Sequence, residues 1–316
     1  MPERMPRALR IALSAVLSLS LLAGVVALID TGALLQRFAA LDPLWAAAAL
    51  LISIPQYLLS AARWRLTAMR LGANLTFKGA VAEYYLAVLT NQLLPGGVLG
   101  DAARAVRHGR RVKAHGAALR AVIYERSAGQ FALFLVMLAG LFSWPWIYGE
   151  GALAVEIAGV VVLTAAACTV MLALLATGWR AETRAGQTVR NFLRDARHAL
   201  IARDVIARQG LYSFGILATY LACFYCAGRA IGLDLSILHI ITLVPAVLFS
   251  MNMPLTISGW GVREATAAAI WRLAELAAVD GVAVSVSYGA IVLLSALPGL
   301  AVLSAGFVKR NLGDQR

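Results

Sequence analysis

Residues 79–104 read GAVAEYYLAVLTNQLLPGGVLGDAAR, an apolar run broken at Pro95-Gly96-Gly97 and followed at once by Asp101 and Arg104. Proline and paired glycines at membrane depth free backbone N–H and C=O groups, and each one left unpaired in hydrocarbon costs several kcal/mol. Such a break is stable only where protein or a wet cavity receives those groups. Lys78 precedes the run, and Arg104, Arg107, Arg110, Arg111, Lys113 and Arg120 follow it. Both ends thus carry the basic signature of the inner membrane face, so the segment is expected to be re-entrant. The plainer alternative is a surface turn between ordinary spans.

A second region, from Ile237 through Pro254 to Leu276, lies between Asp234 and Asp280 with no basic residue in either flanking link. By the same reasoning both of its ends lie outside. The first break reads Asn91 to Asp101; the second reads Asn252-Met-Pro254-Leu-Thr-Ile-Ser258-Gly259-Trp260-Gly261-Val-Arg263-Glu264. Each offers Asn, then Pro, then glycines, then charge. Segments of this kind entering from opposite faces make an inverted-topology repeat that meets near the midplane around a substrate site.

Composition sets the frame for these segments. Of 316 residues, 61% are apolar and only 14% charged, against about 45–50% and about 25% in soluble domains. Six stretches are long enough to cross a hydrocarbon core of about 30 Å: roughly 8–29, 44–62, 121–142, 152–177, 211–231 and 282–308. This excludes a soluble enzyme, a disordered chain and, for want of alternating strands, an outer-membrane barrel. The net charge of +12 sits in the polar gaps on alternate sides, the positive-inside pattern. That excludes nucleic acid as the natural partner and puts both termini in the cytoplasm. A cleaved leader is the competing reading of the first span. Trp144, Trp146 and Tyr148 suit an outer aromatic belt. Segment 179–209 has Val189, Phe192, Leu193, Ala196 and Leu200 at helical spacing among arginines, which suits either a helix in the inner interface or a solvated linker.

Where the pattern turns helical again, near Asp101 and Val262, each break would present a helix amino end, whose free N–H groups and positive dipole favour an anion. Phosphate is the obvious membrane anion. Arg263 at the second terminus, and Arg104 or Arg107 at the first, could add forked donors. The alternative is neutralisation alone, Asp101 with Arg104 and Arg263 with a distant carboxylate. Glu83 falls roughly on the face of Asn91, and Glu125 and Arg126 lie near the inner end of their span, either facing a cavity or reaching the headgroups. Cys223 and Cys226 read as buried small residues rather than metal ligands, and His108 and His115 as part of a basic inner loop. No nucleotide-binding, hydrolase or metal motif occurs.

The residues Asn91-Gln-Leu-Leu-Pro95-Gly-Gly…Gly100-Asp101-Ala-Ala-Arg104, Val122-Ile-Tyr-Glu125-Arg126 and Pro254-Leu-Thr-Ile-Ser258-Gly-Trp-Gly261-Val-Arg263-Glu264 resemble the flippase-like transmembrane domain shared with the membrane half of lysylphosphatidylglycerol synthases. The resemblance implies moving or handling lipids across a cytoplasmic membrane. It does not imply synthase activity, since the soluble transferring domain of full-length synthases has no counterpart in the eight residues after Val308.

The expectation is therefore one domain over 1–316, an all-α polytopic bundle with two re-entrant, broken-helix hairpins in an inverted repeat. It would bind the phosphate-bearing head group of a membrane lipid through Asn91, Pro95, Gly96, Gly97, Gly100, Asp101, Arg104, Glu125, Arg126, Asn252, Ser258, Gly259, Gly261, Arg263 and Glu264. No catalytic residue, cofactor or metal is expected. The alternatives are a membrane transferase using Glu83, Asp101 or Glu125 as base, and an assembly partner without a substrate.

Overall fold

The computed structural model describes residues 7–94, 97–149, 184–251 and 256–304, and the regular elements among them are helices. Helix α1 (Arg7–Ala27) covers most of the stretch expected as the first span, and the chain then bends by 99° into α2 (Thr31–Ala39). Asp30 causes the restart: its side chain accepts the Ala33 N–H and caps α2. Helix α3 (Pro43–Arg70) begins with Pro43 in the first turn and the Asp42 side chain on the Leu44 N–H. It runs to Arg70 rather than ending at Ala62, which places Arg63 two turns inside the helix.

Next come α4 (Phe77–Leu93), α5 (Leu99–Val112) and α6 (His115–Tyr148). After the undescribed segment, α7 (Arg184–Ala196) passes into a π-helical turn over Arg197–Ile201. The chain continues as α8 (Ile206–Ala230), α9 (Ile237–Ser250), α10 (Val262–Leu273) and α11 (Ala278–Ser295). A turn at 296–297 precedes a last helical segment. Pro298 explains that turn, because it lacks the N–H that would continue the α11 ladder.

Among the described residues, four helices are long and apolar enough to cross a membrane: Pro43–Arg70, His115–Tyr148, Ile206–Ala230 and Ala278–Ser304. The α1–α2 pair raises the number to five if it counts as one span. This is a helical membrane bundle. The expected span over 152–177 lies outside the described residues, as do Pro95, Gly96, Asn252 and Pro254.

Both breaks exist. Residues 94–98 separate α4 from α5, and 251–261 separate α9 from α10. The order of elements is the same on either side of the undescribed segment: long helix, glycine turn, short helix, break, short helix, long helix. The glycine turns also match residue by residue, Leu71-Gly72-Ala-Asn-Leu75-Thr76 against Ile231-Gly232-Leu-Asp-Leu235-Ser236. In both turns the glycine has φ of +74°. The following N–H of each, Ala73 and Leu233, reaches back to the carbonyls of Ala68 and Gly228 at 2.9 and 3.0 Å, which is the αL closure of a helix end. Thr76 and Ser236 then cap α4 and α9 by accepting from the Gly79 and His239 N–H groups. Replacing either cap with Ala should cost about 1 kcal/mol, read as a small fall in the unfolding midpoint in detergent, with equal effects at the two positions.

Lipid tails are as apolar as leucine, so close packing rather than water exclusion holds such helices together. Helix α3 packs most extensively on α8. Gly140 of α6 lies against the Thr242 backbone of α9, and Gly299, after α11, lies against the Tyr85 carbonyl of α4. Each glycine brings a long helix against a short one from the other half. Trp64 anchors the first half and Trp271, with Phe224 and Tyr288, the second, all buried.

The structure decides three local expectations. Helix resumes near Asp101 as α5, while His108, expected in a basic inner loop, is buried within that helix with its ring edge-on to Trp64 at 5.6 Å. The aromatic link at 144–148 is the last turn of α6, with Trp144 buried against Tyr148 and only Trp146 broadly exposed. Helix α7 is the amphipathic helix expected near 189–200, and it is not a free linker: Phe192 packs on Tyr124 at 4.8 Å, Tyr124 Oη donates to the Phe192 carbonyl, and Arg120 pairs with Asp195.

Candidate functional site

The first break is closed by its own side chains. Asn91, in the last turn of α4, accepts the Gly100 N–H on Oδ1 at 2.7 Å and donates from Nδ2 to Asp101 Oδ2 at 2.9 Å. One amide therefore satisfies the amino end of α5 and holds the carboxylate beside it. Gly100 makes this possible, because a Cβ there would lie 2.0 Å from the Ala87 carbonyl oxygen. Below this, Glu83 ties α4 to α5 through Arg107 at 2.6 Å and Arg111 at 3.0 Å.

Asp101 opens onto a larger network. Its Oδ1 accepts from Arg104 and its Oδ2 from Arg126 at 2.5 Å. Arg104 also donates to Glu125 Oε2 at 2.7 Å, while its guanidinium lies 4.6 Å from the ring centres of both Trp64 and Tyr84. Glu125 Oε1 receives Arg63 at 2.6 Å and, more weakly, Tyr84 Oη at 3.4 Å. Arg63 in turn donates to Ser213 of α8 at 3.2 Å. Arg63, Arg104, Asp101 and Glu125 are all buried. Sequence pattern read Arg63 as the basic end of a span; it is instead a central partner of Glu125.

Three guanidiniums (Arg63, Arg104, Arg126) against two carboxylates (Asp101, Glu125) leave one positive charge uncompensated within this network. Arg126 is its most exposed member, with 36% of its side chain accessible. Its Nε has no hydrogen-bond partner among the described residues. A buried network with one cation in excess favours an anion at its open edge. Each of the three acids suggested as bases, Glu83, Asp101 and Glu125, pairs with two guanidiniums.

That edge is a cavity of about 190 Å³. Its polar wall includes Arg63, Arg126, Tyr84 and Asn91, and its apolar wall Leu133, Ile216, Leu217 and Leu248. Gly97 reaches it from the first break, and Met251 and Ser258 from the second. The two interruptions therefore meet at one chamber. Ser258 holds φ of +51°, uncommon for a residue with a side chain.

The second break is organised differently. Glu264 caps α10 itself, with Oε2 accepting the Gly261 N–H at 2.7 Å, while Oε1 receives Arg263 at 2.6 Å and the Ser285 hydroxyl at 3.0 Å. Arg263 is only 1% exposed, donates also to Ser285, and lies 4.8 Å from the Trp260 ring centre. Its partner is the neighbouring carboxylate rather than a distant one. Gly261 needs φ of +88° and lies against Leu21 and Ser18 of α1. Gly259 is likewise left-handed, beside Met251.

Of the expected site residues, the structure gathers Asn91, Gly100, Asp101, Arg104, Glu125 and Arg126 into one network, and Gly259, Gly261, Arg263 and Glu264 into another; Gly97 and Ser258 line the cavity between them. Residues 8–299 match the family described as the lysylphosphatidylglycerol synthase TM region. The chain belongs to this family. The match spans both breaks and both networks, so the family's membrane region is the unit that carries the cavity. No curated protein and no solved structure gives a significant match. Cys223 and Cys226 are free and buried, and Cys223 Sγ lies 3.3 Å from the Ala49 carbonyl.

Proposed function

We propose that this member of the family carries a phosphate-bearing lipid across the cytoplasmic membrane, with the headgroup in the central cavity and its phosphate on Arg126. The observation that carries this reading is the surplus guanidinium at the edge of a chamber reached by both helix breaks. The cavity holds a headgroup but not acyl chains, which stay in the bilayer. Both helix amino ends are already capped by side chains, so the anion's partner is Arg126, with Arg63 next to it.

A phosphate competes with Asp101 for Arg126. Asp101 also receives Asn91, which caps α5. Headgroup arrival therefore loosens the element that closes the first break, and release restores it. In this reading the two halves insert with opposite orientation, and rocking one against the other exposes the cavity to each face in turn. The basic gaps support cytoplasmic termini.

The test is transport of a labelled anionic phospholipid in liposomes containing the purified chain. Arg126→Gln leaves Arg63 and Arg104 against Asp101 and Glu125, a balanced set, so folding survives. Transport should fall by about tenfold or more, as loss of one charge-assisted phosphate contact implies. Transport equal to wild type by a folded Arg126→Gln protein would remove the site.

A further inference from the structure

A polar seam leads away from the chamber between α3 and α8. Arg63 donates to the Ser213 hydroxyl at 3.2 Å, and one turn further toward Arg70 and Arg208 the Gln209 amide donates to Thr67 Oγ1 at 3.0 Å. Thr67 in turn donates to the Arg63 carbonyl at 3.0 Å, which joins the two rungs. Arg63 and Ser213 line the chamber, Thr67 and Gln209 lie beyond it, and all four are buried.

The seam is only half satisfied. Arg63 Nε and Gln209 Oε1 are buried without a hydrogen-bond partner among the described residues. A buried network left partly unpaired is costlier than an apolar interface of the same shape, because each orphaned group has given up water for nothing. Entry of water would relieve that cost, so the closed seam has a hydrated alternative close to it in energy.

The far end of the seam is stoppered by the π-helical turn at Arg197–Ile201. Gln209 also donates to the Ala199 carbonyl at 3.1 Å, and Ala199 and Val205 are fully buried. Single π-helical turns are rare and concentrate at functional positions. Ahead of this one, α7 is fastened to α6 by the Phe192 ring against Tyr124, the Tyr124 hydroxyl on the Phe192 carbonyl and the pair Arg120–Asp195. The two charged side chains are 37% and 35% exposed, and an ion pair so exposed holds weakly. Tyr124 adjoins Glu125 in sequence, and Thr67 bonds Arg63, so the segment touches the charge network from two sides.

Resting on the reading of the chamber as a headgroup site, we infer that α7 and its π-helical turn are the inner gate of that chamber. Docked, they seal the seam between α3 and α8. Released, they admit water to Arg63 Nε and Gln209 Oε1 and open a path from the chamber to the inner face.

The test uses the full chain in sealed vesicles of known orientation, with Cys168, Cys223 and Cys226 replaced by Ala and Ser60→Cys placed in the chamber wall. Labelling by a small membrane-impermeant methanethiosulfonate added on the inner side reads how often the gate is open. Tyr124→Phe combined with Asp195→Ala removes one hydrogen bond and one ion pair outside the chamber, so inner labelling should quicken about tenfold. Labelling from the outer side should stay as it was. A second variant, Arg120→Cys with Asp195→Cys and Ser60 restored, is joined by a short bismaleimide. It should keep the midpoint shift given by phosphatidylglycerol yet lose transport of that lipid by about tenfold or more, because the gate can no longer open.

Unchanged inner labelling, or wild-type transport by the cross-linked chain, would overturn the gate; the headgroup site would still stand if Arg126→Gln abolished transport in the same vesicles. Loss of the phosphatidylglycerol shift together with transport on cross-linking would make the segment part of the binding fold, and would overturn the gate as well. Transport unaffected by Arg126→Gln would remove the headgroup reading on which the gate rests.

Discussion

Glu125→Ala should lower the unfolding midpoint by on the order of 10 °C, the largest single-residue effect in the molecule. Glu125 is fully buried and holds Arg63 and Arg104 at 2.6 and 2.7 Å, with Tyr84 beside them. Its removal leaves three guanidiniums against Asp101 alone. Breaking a buried pair while leaving its partners charged costs about 3–5 kcal/mol, because the remaining cations have lost water and gained nothing. A shift of that size follows at about 2–4 °C per kcal/mol in a chain of this class. Glu125→Gln keeps the shape and one acceptor but not the charge, so it should fall almost as far. The check is thermal unfolding in detergent beside Arg37→Ala, which breaks only the partly exposed pair with Asp280 and should cost at most about 1 kcal/mol. Equal midpoints for the Glu125 and Arg37 variants would mean that the buried network does not hold the bundle.

Gly100→Ala should be nearly as damaging for a different reason. The added Cβ would meet the Ala87 carbonyl oxygen at 2.0 Å and its carbon at 2.7 Å, both backbone atoms of α4, as well as Asn91 Oδ1 at 2.8 Å. Backbone cannot rotate away as a side chain can, so α5 must separate from α4. The separation breaks the Asn91–Gly100 cap and displaces Asp101 from Arg126. Overpacking usually costs about 1–3 kcal/mol, and contact with fixed backbone belongs at or above the top of that range. Gly210→Ala is the control: it lies within α8, a Cβ there meets nothing within 4 Å, and alanine favours helix over glycine by about 0.8–1 kcal/mol. The first variant should lose lipid-dependent stabilisation and unfold earlier, while the second should match or exceed the wild type. Matching midpoints for both would show that the α4–α5 contact has slack.

Proline and glycine within apolar runs marked both breaks, because few other residues interrupt a helix where lipid offers no hydrogen bonds. The positions of Asn91, Asp101, Arg104, Glu125 and Arg126 were legible too, since a charge inside a span must face protein. Their pairing was not. Arg63 looked like the basic end of a span because helix length cannot be read where an apolar run ends in alternating Trp and Arg; α3 continues for two more turns. For Arg263 the sequence left a phosphate or a distant carboxylate as partner, because it does not show that the neighbouring Glu264 folds back to cap its own helix and neutralise the guanidinium. The matched turns at 71–76 and 231–236 were visible all along, but they draw attention only after both are seen to close a long helix and start a short one.

The surplus charge at Arg126 is the point on which the functional account depends. A structure determined in a lipid bilayer containing an anionic phospholipid tests it most directly. The account predicts phosphate density within hydrogen-bonding reach of the Arg126 guanidinium, its polar group inside the chamber between Gly97 and Ser258. Ordered lipid confined to the outer surface, with water alone in the chamber and Arg126 still bound to Asp101, would contradict it.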